Sequence, residues 1–215
     1  MSKYYLKFEE GIKILDEQII SIDNRSDLTA DEIILLDDLK NKRSKLIDKV
    51  YSGLSRWERI QLARHPDRPY ALDYIKYLSN DFIELHGDRY YMDDPAVVCG
   101  LGHIDELKLV WIGQQKGRNT KENLYRNFGM MRPEGYRKCI RLMKLADRFQ
   151  IPVVSFIDTP GAYPGLGAEQ RGQASAIANS IECCMSLTVP NISIIIGEGG
   201  SGGAIALASS NKVIM

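Results

Sequence analysis

The chain has 215 residues, of which 44% are hydrophobic and 26% are charged, an ordinary balance for a globular protein with a sizeable core. Its 28 basic and 28 acidic residues cancel, so neither nucleic-acid binding nor membrane binding is predicted from its charge. The first residues lack the apolar stretch of a signal peptide, and no apolar run reaches the length of a membrane span. We therefore expect a cytoplasmic protein.

The four cysteines are expected to be reduced, free thiols. They are Cys99, Cys139, Cys183 and Cys184. None forms a C-x-x-C pair, so no zinc site built from this chain alone is predicted. Cys183 and Cys184 fall in an apolar, helical pattern, where burial is the ordinary state of a free cysteine.

Residues 12–50 predict two amphipathic helices joined by a polar turn. Apolar residues recur along the first helix at three- and four-residue steps: Ile12, Leu15, Ile19 and Ile22. Thr29 and Glu32 have the spacing of a capping box in front of the second helix. A helical hairpin with this much charge is more typical of a docking or oligomerisation element than of a catalytic one.

Residues 54–86 predict further helices, interrupted where Pro66 and Pro69 stop the helix before them. We therefore predict an N-terminal helical region over residues 1–90 and a catalytic core over residues 91–215. The core begins with two apolar runs rich in valine and isoleucine, 96–104 and 107–112, which predict a β-hairpin.

After the hairpin, strands and helices alternate along the chain. Helices are predicted over 133–149, 168–187 and 202–209, and strands over 152–157, over 192–196 and from residue 213. Each of the two buried strands runs directly into a glycine-rich turn and a helix. This repeat indicates an α/β domain in which the two glycine-rich turns meet at one edge of the sheet.

The two glycine-rich turns, residues 158–165 and 197–203, are the candidate chemical site. Glycine lets the backbone turn sharply and lets a ligand approach the amides without a Cβ in the way. The helix behind each turn adds partial positive charge and unpaired N–H groups. Such a turn suits an anion, either a phosphate or a developing oxyanion.

Several interpretations compete for the second turn. Residues 199–203 match the G-x-S-x-G of serine hydrolases, but His65, His86 and His103 all precede Ser201, whereas such hydrolases place their histidine after the serine. A phosphate-binding P-loop needs Lys-Ser or Lys-Thr after the last glycine, and Ala204 stands there. The glycines could also serve only close packing. Five glycines in seven residues favour an oxyanion hole made of peptide N–H groups.

Seven segments, in this order, resemble one family: residues 63–69, 84–89, 113–118, 126–130, 133–138, 158–165 and 197–204. The family is the carboxyltransferase alpha subunit of the multi-subunit acetyl-CoA carboxylase of bacteria and plastids. The resemblance implies an α/β fold, a crotonase-like spiral of β-β-α units with an N-terminal helical extension. Family members continue beyond the last residue of this sequence, so the chain is expected to be truncated at its C-terminus.

The resemblance also implies a reaction and partners. The carboxyl group of carboxybiotin on a carrier protein would be transferred to acetyl-CoA to give malonyl-CoA, the first committed step of fatty acid synthesis. Partners would be a carboxyltransferase beta subunit in an α2β2 assembly, the biotin carboxyl carrier protein and biotin carboxylase. The family's zinc ribbon belongs to the beta subunit, so no metal is expected in this chain.

The family pattern assigns the site residues. Gly202 and Gly203 would supply an oxyanion hole, while Gly199 and Gly200 would shape the turn. The beta subunit would supply a second oxyanion hole and most contacts to CoA. The predicted substrate-binding residues are Lys116, Gly117, Arg118, Gly161 and Ala162. A Gly203→Val change is expected to block the amide without disturbing assembly.

The residues around the candidate site leave further alternatives open. Taken alone, Lys116 and Arg118 beside a glycine suit an acidic ligand, but a solvated loop fits them equally well. A stand-alone crotonase-type acyl-CoA hydratase or isomerase would need a glutamate over the acyl chain, for which Glu169 and Glu198 are the candidates. A third reading is a non-catalytic assembly fragment, with which the helical hairpin is consistent.

Overall fold

A computed structural model describes residues 3–215, so the first two residues of the predicted 1–90 region lie outside the described part. Contacts within the chain divide it into two compact units, one ending at Arg68 and one beginning at Pro69. By these contacts residues 69–90 belong to the second unit, and the predicted domain boundary near residue 90 stays a prediction. In residues 3–215 no helix is both long enough and apolar enough to cross a membrane.

The first unit is helical, as predicted. Its helices are α1 (Glu10–Asp23), α2 (Ala30–Ser52) and α3 (Arg56–Ala63). The predicted capping box starts α2, since the N–H of Glu32 donates to Thr29 Oγ1 at 3.3 Å and the N–H of Thr29 donates to Glu32 Oε2 at 2.9 Å. Ile12 of α1 is buried together with Leu36 and Leu39 of α2, which places the apolar faces of the hairpin inside this unit.

The second unit is built on a six-stranded sheet whose strands lie side by side in chain order. The strands are β1 (Ile83–Glu84), β2 (Val97–Ile104), β3 (Leu107–Gln114), β4 (Val153–Thr159), β5 (Asn191–Gly199) and β6 (Lys212–Ile214). The first three pair antiparallel, and β3 to β6 pair parallel. The predicted hairpin is therefore confirmed as β2 and β3.

Strand β1 corrects one prediction. Residues 54–86 were expected to stay helical, but the helix that begins at Ala71 ends at Leu78, and Ile83 pairs with Leu101 of β2. The reason lies in the partner strand, because a Cβ at Gly100 would lie 2.2 Å from the carbonyl oxygen of Ile83. A glycine on β2 thus makes room for an extended segment that local helical periodicity does not reveal.

Six α-helices accompany the strands in the described part of the second unit. They are α4 (Ala71–Leu78), α5 (Thr120–Tyr125), α6 (Pro133–Phe149), α7 (Leu166–Gln170), α8 (Gln173–Ser186) and α9 (Ser201–Ala208). Helix α6 has the predicted bounds. The single helix predicted over 168–187 is wrong, because Gly172 adopts a left-handed conformation with φ of 80° and separates α7 from α8.

The sheet is covered on both faces. One hydrophobic cluster joins β2, β3 and β4 to α6, α8 and α9, with Val110 and Ile112 of β3 pointing into it. The other joins the opposite face to α4 through Trp111 of β3 and Phe156 of β4. All four cysteines are buried free thiols, as predicted for Cys183 and Cys184. Helices on both faces leave the ends of the parallel strands as the edge where loops gather.

Candidate functional site

The two glycine-rich turns meet at the edge where β4 and β5 end, as predicted. The N–H of Gly200, after β5, donates to the carbonyl oxygen of Thr159, the last residue of β4, at 2.8 Å. Strand β5 runs on to Gly199, beyond the predicted end at residue 196, so the turn before α9 is short. Ser201, the first residue of α9, has a positive φ of 48°.

Gly200 and Gly203 are required by the close approach of the two turns. A Cβ at Gly200 would lie 2.1 Å from the carbonyl oxygen of Pro160. A Cβ at Gly203 would lie 2.5 Å from the carbonyl carbon of Gly161 and 2.7 Å from the nitrogen of Ala162. A valine at Gly203 would therefore collide with the backbone of the neighbouring turn as well as cover the amide, and its effect on assembly stays a prediction.

Gly199 and Gly202, in contrast, are not crowded by the neighbouring backbone. A Cβ at Gly202 would meet Ile177 at 3.7 Å, and one at Gly199 would meet Ile195 at 3.6 Å, both ordinary van der Waals contacts. Close packing thus explains Gly200 and Gly203, and it does not require glycine at Gly199 or Gly202. The sequence alone could not tell a glycine needed for close packing from one that leaves its amide open to a ligand.

The first turn of α9 presents peptide N–H groups at this edge. The first bond of the helical i to i−4 type runs from the N–H of Ala204 to the carbonyl oxygen of Gly200, at 3.1 Å. The N–H groups of Ser201, Gly202 and Gly203 precede it and have no acceptor within the helix. Such groups carry partial positive charge in fixed positions, which suits the stabilisation of an oxyanion.

Lys116, just after β3, lies in a buried ionic network. Its Nζ is 2.5 Å from Glu198 Oε2 and 3.1 Å from Asp158 Oδ1. The Asp158 side chain is fully buried, and that of Lys116 is 13% exposed. The sequence analysis did not predict this network. The available signal was an acidic residue near the end of each of two parallel strands, where neighbouring strands bring side chains together.

Arg118 and Gly117 also have partners within the chain. Arg118 forms an ion pair with Asp73, and its guanidinium lies over the ring of Tyr70, 4.0 Å from the centroid. The N–H of Gly117 donates to Asn123 Oδ1 at 3.0 Å. The substrate-binding role of Lys116, Gly117 and Arg118 stays a prediction, and a ligand would have to compete with these contacts.

A stand-alone hydratase needs a glutamate over the acyl chain, and neither candidate glutamate is placed for that role. Glu198 bonds to the ammonium of Lys116, and Glu169 is exposed on α7. The hydratase alternative is therefore not favoured. Among residues 3–215 no group of three or more His, Cys, Asp or Glu side chains is placed to hold a metal ion.

Solved structures of low sequence identity share the fold. A transcarboxylase 12S, described with methylmalonyl-coenzyme A and methylmalonic acid bound, superposes with a TM-score of 0.57 at 17% identity, over 99% of this chain and 36% of that one. The beta subunit of geranyl-CoA carboxylase from P. aeruginosa superposes with a TM-score of 0.54 at 19% identity, over 66% of this chain and 25% of that one. The predicted crotonase-like α/β fold is confirmed.

Sequence relatives are much closer. The chain is 53% identical over 211 residues to a protein of Campylobacter jejuni (strain RM1221), covering 98% of this chain and 66% of that protein. It is 55% identical over 216 residues to a protein of Pelagibacter ubique (strain HTCC1062), covering 99% of this chain and 59% of that protein. Both relatives are named acetyl-coenzyme A carboxylase carboxyl transferase subunit alpha.

The chain spans 66% of the length of the first of these relatives. One family model matches residues 5–215. The model covers both the helical unit and the sheet unit. The chain therefore belongs to the acetyl co-enzyme A carboxylase carboxyltransferase-like family.

Proposed function

We propose that the chain acts, within its full-length protein, as the alpha subunit of an acetyl-CoA carboxylase carboxyltransferase. The reaction is transfer of the carboxyl group from carboxybiotin, held on a carrier protein, to acetyl-CoA, which gives malonyl-CoA and commits carbon to fatty acid synthesis. The observation that carries the proposal is the N–H-lined first turn of α9, packed against the turn after β4, in a chain of this family.

The proposed chemistry needs no side-chain nucleophile at this edge. Negative charge develops on the ureido oxygen of biotin as carboxybiotin releases CO2. It develops on the thioester oxygen as the biotin anion takes the methyl proton of acetyl-CoA, whose carbon then bonds to the CO2. The N–H groups of Gly202 and Gly203 would donate to one of these oxygens, and each well-placed donor in such a hole is worth about 10²–10³ in rate. Gly199 and Gly200 would shape the turn. The backbone of Gly161 and Ala162, which packs on Gly203, would form the facing wall.

Lys116, Gly117 and Arg118 are proposed to bind polar groups of the substrates. Lys116 is best suited to this among the three, because its ammonium already lies beside Glu198 at the start of the glycine turn. A substrate carboxylate or carbonyl oxygen would share that ammonium with Asp158 and Glu198. Arg118 would have to leave or share Asp73 to reach an anionic group.

The proposed assembly supplies what this chain does not. A carboxyltransferase beta subunit in an α2β2 complex would provide the second oxyanion hole and most contacts to CoA. Carboxybiotin would arrive on the biotin carboxyl carrier protein after its carboxylation by biotin carboxylase. The proposed site of action is the cytoplasm, the proposed cofactor is biotin, held as carboxybiotin on the carrier protein, and no metal is proposed for this chain.

Reconstitution tests the proposal. The full-length protein is co-purified with its matching beta subunit and mixed with carboxylated biotin carrier protein and acetyl-CoA, and malonyl-CoA is measured by mass spectrometry. We expect malonyl-CoA only when both subunits are present. The controls are each subunit alone, and hydration of an enoyl-CoA by the alpha protein alone. No malonyl-CoA from the assembled pair, or hydration without a partner, would contradict the proposal.

A further inference from the structure

Gln114, the last residue of β3, connects the end of β4 to the first turn of α9. Its side chain is fully buried. Its Oε1 accepts the N–H of Asp158 at 3.1 Å, and its Nε2 donates to the carbonyl oxygen of Gly203 at 2.8 Å. Only this orientation of the carboxamide satisfies both neighbours, because an N–H needs an acceptor and a carbonyl needs a donor.

Asp158 extends the connection to the other end of the glycine segment. Its Oδ1 accepts the N–H of Glu198 at 3.1 Å. The segment from Glu198 to Gly203 is thus held at its beginning by Asp158 and at its end by Gln114, and these two residues are bonded to each other. Buried hydrogen bonds of this kind are costly to leave unmade, since neither water nor another partner replaces them.

We propose that Gln114 is a positioning residue for the carboxyl-transfer site, an inference that rests on the proposed function. In a helix the peptide N–H and C=O groups point in opposite directions along the axis. Holding the carbonyl of Gly203 therefore fixes the first turn of α9 and the direction of the N–H groups of Gly202 and Gly203. Gln114 acts through these donors and does not touch the substrate.

The chain offers a matched control in the next residue. Gln115 is also buried, and its carboxamide also makes two bonds to backbone, accepting the N–H of Leu72 at 2.8 Å and donating to the carbonyl oxygen of Lys116 at 2.8 Å. These bonds lead to α4 and to the neighbouring Lys116, and neither reaches α9. Gln114→Leu and Gln115→Leu thus remove the same number of hydrogen bonds from adjacent buried sites.

The first measurement is steady-state kinetics of both variants in the full-length protein assembled with its beta subunit. Gln114→Leu should lower kcat by about ten- to a hundredfold, because displacement of catalytic groups by about 1 Å can cost 10² in rate. Its KM for acetyl-CoA should stay within about twofold of wild type, since only transition-state contacts change. Gln115→Leu should keep its kcat, and any effect of its lost bond to Lys116 should appear in KM. Equal losses of kcat in both variants would overturn the proposal.

The second measurement does not depend on activity. Amide hydrogen exchange of α9 should be faster in Gln114→Leu than in wild type, with that of α6 unchanged, and Gln115→Leu should leave α9 as it is. Unchanged hydrogen exchange in α9 would overturn the proposal that Gln114 positions this helix, even if kcat fell. An inactive wild-type assembly would refute the proposed function instead. Hydrogen exchange would still decide whether Gln114 positions α9. If Gln114→Leu does not fold, Gln114→Asn and Gln115→Asn are compared in the same two assays.

Discussion

Alanine substitutions at two adjacent glycines should differ in their effect on stability, with only the substitution at Gly203 destabilising the fold. At Gly203 a Cβ would lie 2.5–2.8 Å from three backbone atoms of Gly161 and Ala162, so the turn after β4 and helix α9 must separate by about 1 Å to reach normal contact. At Gly202 the nearest atoms belong to Ile177, 3.7 Å and 3.8 Å away, and nothing must move.

The expected magnitudes follow from these contacts. Overpacking of this kind costs about 1–3 kcal/mol, which for a chain of this size lowers Tm by roughly 2–4 °C per kcal/mol. Gly202→Ala should be neutral or stabilising by up to about 1 kcal/mol, because alanine has the higher helix propensity. Thermal and urea unfolding of both variants, followed by circular dichroism, compare the two positions.

Two further variants serve as matched controls for this comparison. Gly200→Ala should behave like Gly203→Ala, since its Cβ would meet the carbonyl oxygen of Pro160, and Gly199→Ala should behave like Gly202→Ala. Equal unfolding midpoints for Gly202→Ala and Gly203→Ala would refute the division of these glycines into those that close packing requires and those that it does not.

Three further predictions concern charge, capping and thiol reactivity. Burial opposes ionisation of Asp93, but Lys138 Nζ at 2.7 Å and the N–H of Gly87 lower the pKa of this carboxyl group to about 2. The ionised carboxylate therefore stabilises the fold fully above its ordinary pKa of 3.8. That stabilisation is lost as the pH falls towards 2. Asp93→Asn should flatten the fall of the urea midpoint in that range, and an unchanged slope would contradict the assignment. Thr29→Ala should destabilise the first unit by about 1 kcal/mol through loss of the cap on α2, and Thr29→Ser should restore it, as measured by urea unfolding. Burial raises the pKa of Cys184 to about 12, so an aromatic disulfide reagent should modify this thiol only after unfolding, and rapid labelling of the native protein would count against its burial.

The elements that could be predicted from sequence are those with strong local signals. Helix α6 was predicted with its observed bounds because Pro133 marks its start and its apolar residues recur with helical spacing. The hairpin of β2 and β3 was predicted from its two apolar runs. Strand β1 was missed because its pairing depends on space left by a distant glycine, Gly100, and not on its own two residues.

Short helices and single-residue breaks were the other failures. Helix α5 has six residues and is held by a cap from Asn119, whose side chain accepts the N–H of Glu122 at 2.9 Å. Such a helix spans too few turns to show periodicity. The break at Gly172 was missed because a lone glycine inside an apolar pattern is compatible with an unbroken helix.

The candidate site was located from sequence only in part. The meeting of two glycine-rich turns follows from the repeat of strand, turn and helix, since parallel strands end at one edge. The partners of Lys116 could not be predicted, because Asp158 and Glu198 reach it through pairing between strands that lie far apart in the chain. The same holds for Gln114, which bonds to Gly203 across 89 positions of sequence.

The central claim is that peptide N–H groups of α9 stabilise the charge that develops during carboxyl transfer. Its most direct test replaces the Gly202 or the Gly203 amide with an ester in the assembled full-length protein, by semisynthesis with glycolate at that position. The ester removes the N–H donor and adds no side chain, so the fold should persist. We predict that kcat of malonyl-CoA formation falls by about 10²–10³ in at least one of the two esters. A kcat equal to that of the all-amide protein in both would contradict the account.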